Sequence, residues 1–241
     1  MEKLITICKF GNLLEFKKES ENILISELSN TLICTACEYD KLDILEWLVS
    51  LKQWYIKITS YHDSYKYESL FCYCCRNGYL SAAKHLYQNI GVDIHEKDEE
   101  GFSLTCYGNH LQLAKWLYSL GGIDINNNSN YPLKSAVNNG HYEMVKWLMS
   151  LPDIDTLQYD KIVSETCGGN LDIIKLFDLS DNINITSFSI VFAKACTLGK
   201  FEIMKWLYDN KDIDIHIYDE LVFRTACSKN YLDIAKWIYS L

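Results

Sequence analysis

Apolar residues recur along this chain at helical spacing, and the pattern itself repeats. Leu111, Ala114, Leu117 and Tyr118, and again Leu232, Ala235 and Ile238, are separated by three and four residues, which places them on one helix face. The segment Leu113-Ala114-Lys115-Trp116-Leu117-Tyr118-Ser119-Leu120 returns as Met144-Val145-Lys146-Trp147-Leu148-Met149-Ser150-Leu151, as Ile203-Met204-Lys205-Trp206-Leu207-Tyr208 and as Ile234-Ala235-Lys236-Trp237-Ile238-Tyr239-Ser240-Leu241. An earlier copy is Ile44-Leu45-Glu46-Trp47-Leu48-Val49-Ser50-Leu51, and two degenerate copies put His85 and Leu176 in the Trp slot. The slots at 47, 85, 116, 147, 176, 206 and 237 give a period near 31, with one insertion around residues 52–68.

Other slots keep the same register. Seven residues before the Trp slot stands Asp40, Gly78, Asn109, Gly140, Gly169, Gly199 or Asn230, types that tolerate a left-handed backbone and so end helices. Eleven before it is a small residue (Ala36, Cys74, Thr105, Ala136, Ala195, Ala226), and the next is Cys37, Cys75, Cys106, Val137, Cys196 or Cys227. The copy at 176 is one residue short, which leaves Cys167 out of line. Cys8-Lys9-Phe10-Gly11-Asn12-Leu13 fits the pattern as a leading unit. Each unit is therefore a short helix with a small-residue face, a break, a second apolar helix, and a loop with a recurring Asp-Ile or Asn-Ile: Val92-Asp93-Ile94-His95, Ile123-Asp124-Ile125-Asn126, Asn182-Ile183-Asn184-Ile185 and Ile213-Asp214-Ile215-His216. Neither helix reaches the roughly 12–15 residues that stand alone in water. Each pair must bury its faces on its neighbours, which makes a solenoid.

These residues resemble ankyrin repeats. Tyr131-Pro132-Leu133-Lys134 stands where that family has its Thr-Pro-Leu-His turn, Ala136-Val137 on the helix face, Gly140-His141 at the break, and Ile123-Asp124-Ile125-Asn126 in the preceding loop. The Lys-Trp-Leu-Tyr-Ser-Leu helix and the composition rich in Ile, Asn, Lys and Tyr look most like the ankyrin repeat proteins of giant DNA viruses. The resemblance implies an all-α ankyrin-repeat helical solenoid of about eight helix-turn-helix units. It forms a single array over 1–241, divided near 1–29 (a cap-like leading unit), 30–68, 69–99, 100–130, 131–160, 161–189, 190–220 and 221–241. The turn is degraded nearly everywhere, as in Thr31-Leu32-Ile33-Cys34, Ser69-Leu70-Phe71-Cys72, Glu100-Gly101-Phe102-Ser103 and Leu221-Val222-Phe223-Arg224, so irregular connecting fingers are expected.

Composition narrows the function. The net charge of −9 argues against a general phosphate-binding surface, so no nucleic-acid partner is expected. No apolar run approaches the roughly 20 residues of a membrane helix, and the first residues do not read as a signal peptide. Ten cysteines, most of them at register positions, read as buried thiols of a cytoplasmic protein, in the host cytoplasm for a viral owner, with the nucleus as the second compartment. The Trp stripe reads as core rather than a stacking platform for bases.

Two function classes follow. No nucleophile elbow, phosphate loop, dinucleotide fingerprint or zincin motif occurs, so an enzyme and cofactors are not expected. The first class is a non-enzymatic scaffold that binds a partner protein, a host protein for a viral owner, on the concave face. The residues just before each break are the candidates: Glu38, Tyr39, Arg76, Asn77, Tyr107, Asn138, Asn139, Thr197, Ser228 and Lys229, with Tyr and Arg as the better anchors. The second class is a zinc- or thiol-dependent protein built on Cys34-x-x-Cys37 and Cys72-x-x-Cys75, a pairing that can make a four-thiolate site. Packing in the small-residue slot already accounts for Cys37 and Cys75. The sequence stops inside a second helix at Ile238-Tyr239-Ser240-Leu241, which predicts either self-association through an uncapped apolar face or a shortened gene product.

Overall fold

Short helices follow one another in pairs, as the alternating breaks require. A computed structural model describes residues 1–21, 30–51, 57–58, 68–166, 170–179, 185–215 and 217–241. They form two compact bodies, Met1–Asp124 and Ile125–Leu241. The first holds α1 (Glu2–Phe10), α2 (Leu13–Ser20), α3 (Asn30–Glu38), α4 (Leu42–Leu51), α5 (Leu70–Asn77), α6 (Leu80–His85), α7 (Glu96–Tyr107) and α8 (Leu111–Ser119). The second holds α9 (Asn127–Asn138), α10 (Tyr142–Met149), α11 (Tyr159–Thr166), α12 (Leu171–Asp178), α13 (Ile185–Thr197), α14 (Phe201–Asn210), α15 (Ile217–Ser228) and α16 (Leu232–Tyr239). Odd-numbered first helices pack on one another, α5 on α7 and α11 on α13 for example, while each second helix packs back on its own first. The fold class is all-α. Among the described residues the only extended pairing lies in the insertion, where β1 (Lys57–Ile58) runs antiparallel to β2 (Glu68–Ser69).

The breaks work as their residue types predict. Asp40, Gly78, Asn109, Gly140, Gly199 and Asn230 all take positive φ, between 56° and 77°. In each, the next residue's N–H reaches back five residues to the small-residue slot: Lys41 to Ala36 O at 2.9 Å, Tyr79 to Cys74 O at 2.9 Å, His110 to Thr105 O at 3.0 Å, His141 to Ala136 O at 2.9 Å, Lys200 to Ala195 O at 2.8 Å and Tyr231 to Ala226 O at 2.9 Å. This Schellman closure satisfies carbonyls that the helix end would leave unpaired. Gly11 departs from the expected pattern. It is extended, with φ −87° and ψ −164°, because the Asn12 side chain accepts from Glu15 N and caps α2 directly. Gly169 and Cys167 lie outside the described residues.

The interior repeats too. In the second helices the buried positions are three and two before the Trp slot and one after it: Ile44, Leu45 and Leu48; Leu113, Ala114 and Leu117; Met144, Val145 and Leu148; Ile173, Ile174 and Phe177; Ile203, Met204 and Leu207. The Trp residues themselves are a correction to the sequence reading. Trp47, Trp116, Trp147, Trp206 and Trp237 are all half-buried rather than in the core, and Trp47, Trp116, Trp206 and Trp237 meet side chains of the preceding repeat, at the seam between the two.

Side chains of one repeat's second helix build the seam around the next repeat's indole. Where the slot itself is not Trp, the lysine before it lies over the indole of the next: Lys17 Nζ is 5.8 Å from the Trp47 ring, Lys84 6.0 Å from Trp116, and Lys175 5.9 Å from Trp206. In two of the Lys-Trp pairs the lysine lies over a ring of its own helix, Lys146 6.0 Å from Tyr142 and Lys205 4.2 Å from Phe201. The tyrosine two residues after a slot also reaches the next indole, Tyr87 to Trp116 at 5.9 Å and Tyr208 to Trp237 at 5.5 Å, both edge-on. Cation–π contacts at such half-exposed sites contribute about 0.5–1 kcal/mol. Lys84→Gln is expected to lower stability by about that amount. A double-mutant cycle in urea with Trp116→Leu should abolish the difference, and an undiminished loss in the Leu background would show that Lys84 acts elsewhere.

The fingers are irregular in a specific way. Lys97, Asp98 and Glu99 have φ of 52°, 54° and 64°, and Asn128, Ser129 and Asn130, at the same register, have 47°, 59° and 63°. Glu220, equivalent to Glu99 and Asn130, has φ 58°. Three successive non-glycine residues in this region cost about 1–2 kcal/mol each. Local bonds hold the turns: His95 Nδ1 to Glu99 Oε1 at 2.8 Å, Lys97 Nζ to Glu100 Oε2 at 2.8 Å, and Asn130 N–H to Asn126 O at 2.9 Å. The loop isoleucines Ile94, Ile125, Ile213 and Ile215 are buried beneath. Asn126 ties its loop to the next, donating through Nδ2 to Asp153 O at 2.7 Å and accepting from Asp155 N–H at 2.8 Å.

Candidate protein-binding face

First helices bury the positions 15, 14, 11 and 10 residues before the Trp slot, as in Pro132, Leu133, Ala136 and Val137. The next two residues then turn away from the core into the Schellman closure. The ten predicted partner-binding residues occupy those two positions. Glu38, Asn77, Asn138, Asn139, Thr197, Ser228 and Lys229 are exposed, Tyr39 and Arg76 are half-buried, and Tyr107 is 46% exposed.

Their surroundings divide them. Asn77 Nδ2 donates to Tyr73 O at 2.8 Å, Asn139 Nδ2 to Ser135 O at 2.8 Å, Thr197 Oγ1 to Ala193 O at 3.0 Å and Ser228 Oγ to Thr225 O at 3.0 Å. These four fold back on their own helix and serve its last turn. Tyr39 stands edge-on to Phe10 at 6.0 Å with Lys9 Nζ 5.1 Å from its ring, a pre-ordered aromatic of the kind that anchors interfaces. The Arg76 carbonyl accepts from His110 Nε2 at 2.9 Å. This is one instance of a recurring staple, in which the residue after a break reaches the preceding repeat's break. Lys41 Nζ donates to Gly11 O at 3.1 Å in the same manner. The candidates from Glu38 to Tyr107 belong to the first body and those from Asn138 to Lys229 to the second.

The paired Cys-x-x-Cys arrangement is not formed. Cys74 Sγ donates to Cys37 Sγ at 3.7 Å, Cys72 Sγ to Glu100 Oε2 at 3.6 Å, and Cys34 shares a hydrogen bond with Tyr73. Three of the four proposed ligands thus turn to separate neighbours. Among the described residues no group of three or more His, Cys, Asp or Glu side chains could hold a metal ion. Burial pushes the Cys8 thiol up to about 11, Cys72 to about 12 and Cys196 to about 11. The bond to Cys37, then burial, raises Cys74 well above its ordinary value. Such thiols are neutral packing residues at ordinary pH. His85, in a Trp slot, has Nδ1 2.9 Å from Asn89 Nδ2 and Nε2 3.8 Å from Glu46, which is an inter-repeat packing role.

Attention to the residues before each break misses a second row at the start of the first helices of the second body. Tyr131, Ile190 and Leu221 are 42%, 38% and 41% exposed. The signal was present in the degraded turn, whose first residue is apolar in these three repeats alone.

A stack of helix pairs closed by left-handed breaks, each pair completing its neighbour's interior, defines a helical repeat protein. Residues 71–160 match the family model of ankyrin repeats, in three copies. Residues 71–160 carry ankyrin repeats, and the same register in the helix pairs outside the matched stretch makes the fold an all-α ankyrin-repeat solenoid. Ankyrin repeats in general mediate protein–protein interaction and are typically non-enzymatic. No curated protein matches the chain. The family's repeat is 33 residues. The period near 31 here fits fingers shortened to the left-handed turns of Lys97–Glu99 and Asn128–Asn130. Among the described residues no helix is long and apolar enough to cross a membrane.

Proposed function

We propose that this chain is a non-enzymatic scaffold that binds a partner protein on the exposed, concave face of its first helices. One observation carries the reading. Buried positions hold the same residue types from repeat to repeat, whereas nine residues before the Trp slot the chain has Glu38, Arg76, Tyr107, Asn138, Thr197 and Ser228 in turn. Packing constrains the first set and leaves the second free to specify a partner. Tyr39, Arg76 and Tyr107 are the anchors in the first body, since aromatics and arginine dominate interface energies. A cytoplasmic or nuclear setting, with a host protein as partner if the owner is viral, belongs to the same proposal. The described cysteines, all free thiols, agree with a reducing compartment.

The test is affinity capture from expressing cells with the intact chain and with Tyr39→Ala/Arg76→Ala/Tyr107→Ala. A protein retained by the first and reduced tenfold or more by a variant with the same thermal midpoint supports the reading. Equal retention by both removes these residues from the interface.

A further inference from the structure

The two bodies differ at equivalent positions of their first helices. Sixteen residues before the Trp slot the first body has Thr31, Ser69 and Glu100, and three residues later Cys34, Cys72 and Ser103. In three of the second body's four first helices the first of these positions holds Tyr131, Ile190 or Leu221, each more than a third exposed, and on α11 it is polar. One helical turn further each helix carries a cation: Lys134 three residues after Tyr131, Lys194 four after Ile190, and Arg224 three after Leu221. Spacings of three and four put the two residues on one face of the helix. Lys134 and Lys194 are half-buried and Arg224 is exposed. Between the first two pairs stands α11, which begins Tyr159-Asp160-Lys161 and adds a further cation.

Isolated exposed apolar residues need no explanation. Here the same apolar-then-cationic pair occurs on α9, α13 and α15, while the equivalent positions of the first body have neither member. The pairing also runs against the net charge of −9. Asp160, in the first turn of α11, and Glu220, in a left-handed turn, stand one residue ahead of the row, and each already interacts with another group. The sequence adds Glu165 on α11. The face is thus a cationic row beside an apolar row, on helices that pack α9 to α11, α11 to α13 and α13 to α15.

We infer that the first-helix face of the second body binds an acidic peptide segment of a partner protein, with apolar residues interspersed among its carboxylates. The inference rests on the scaffold reading and supplies the partner's chemistry. Charge complementarity selects the acidic residues, and the Tyr131, Ile190 and Leu221 row desolvates the apolar ones. Neighbouring helices lie about 10 Å apart. An extended chain rises about 3.3 Å per residue. A segment crossing the stack therefore meets a new helix about every three residues, and spans α9 to α15 with about nine.

The experiment uses the full chain and fluorescence anisotropy of labelled twelve-residue peptides. One is built of Glu-Leu-Ser repeats, one of Lys-Leu-Ser and one of Glu-Ser-Ser, with a single-stranded DNA of twelve nucleotides as a fourth probe. The Glu-Leu-Ser peptide is expected to bind saturably and at least tenfold more tightly than the other three, with affinity falling as salt rises. Lys134→Glu/Lys194→Glu/Arg224→Glu should weaken it tenfold or more, and so should Tyr131→Ser/Ile190→Ser/Leu221→Ser. Leu14→Ser, at an exposed position of α2 in the first body, should leave it unchanged. If the charge-reversed chain melts early, Lys134→Gln/Lys194→Gln/Arg224→Gln gives the same reading with a smaller loss. Equal binding of the Lys-Leu-Ser peptide, tighter binding of the DNA, or indifference to the cation variants would overturn the inference. None of these outcomes touches the capture test on Tyr39, Arg76 and Tyr107, so the two readings fail separately.

Discussion

Above pH 9 the protein is expected to lose stability steeply, and to unfold cooperatively by about pH 11. An unfolded cysteine releases its proton near 9.0, whereas burial holds Cys8 and Cys196 to about 11 and Cys72 to about 12 in the folded chain. Cys106, fully buried, is shifted in the same direction. Burial, aided by the Asp155 charge, takes Tyr159 from 10.0 to about 12. The sign follows from proton counting. Above pH 9 the unfolded chain sheds protons that the folded chain retains, so rising pH favours unfolding. The stabilisation is complete below pH 9 and is lost progressively as pH passes through the folded values. Each thiol contributes a slope of up to about 1.4 kcal/mol per pH unit. Several acting together exhaust the 5–15 kcal/mol typical of a folded protein. Urea unfolding followed by Trp fluorescence at pH 7.5, 9, 10 and 11 measures the slope. Cys72→Ala should lower it by one thiol's share, although it also leaves a cavity that costs stability at every pH. A midpoint constant to pH 11 would mean that these thiols ionise without opening the stack.

Much of this architecture was legible because the same physical problem is solved many times in one chain. A single glycine is weak evidence for a helix end. Gly, Asn or Asp seven residues before every Trp slot is strong evidence, and the six described positive φ values follow from it. Gly11 shows the limit of register. Asn12, a good cap, offered the chain another way to close the same gap, and the side chain won over the left-handed turn. The fingers were legible only as irregular. Neither Lys97–Glu99 nor Asn128–Asn130 contains a glycine, and Asp98, Asn128 and Asn130 favour a left-handed backbone only as single residues, so propensity gave no hint of three in succession, which are held by contacts such as His95 to Glu99. The indoles were read as core because helical spacing cannot separate a buried stripe from a seam. Their position depends on Lys84 and Tyr87 of the preceding repeat, thirty residues away in sequence. The same blindness hid the Tyr131, Ile190 and Leu221 row, since a lost turn motif and a gained surface look alike until exposure is known.

Gly78→Ala is expected to lower stability by roughly 2–5 kcal/mol, while Gly91→Ala, at nearly the same φ, costs about 1–2 kcal/mol. Gly78 has φ +77° and Gly91 +72°, so both variants carry the left-handed penalty. They differ in what a Cβ would meet. At Gly91 nothing lies within 4 Å, whereas at Gly78 the new atom would fall 2.3 Å from His110 Nδ1. The imidazole has no easy retreat. Its opposite edge lies against Gly108, where a Cβ would be 2.6 Å from the ring, and its Nε2 donates to Arg76 O at 2.9 Å. Displacing the ring therefore unpairs a helix-end carbonyl as well as crowding two repeats. Gly78 is thus a seat that receives the ring following the next repeat's break, as Gly199 does for Tyr231. Non-additivity is the specific check. His110→Ala removes the obstacle, so Gly78→Ala in that background should cost only the left-handed penalty, and the coupling should be about 1–3 kcal/mol. Additive losses in urea would show that backbone conformation alone sets the cost at Gly78, and that the imidazole moves aside freely.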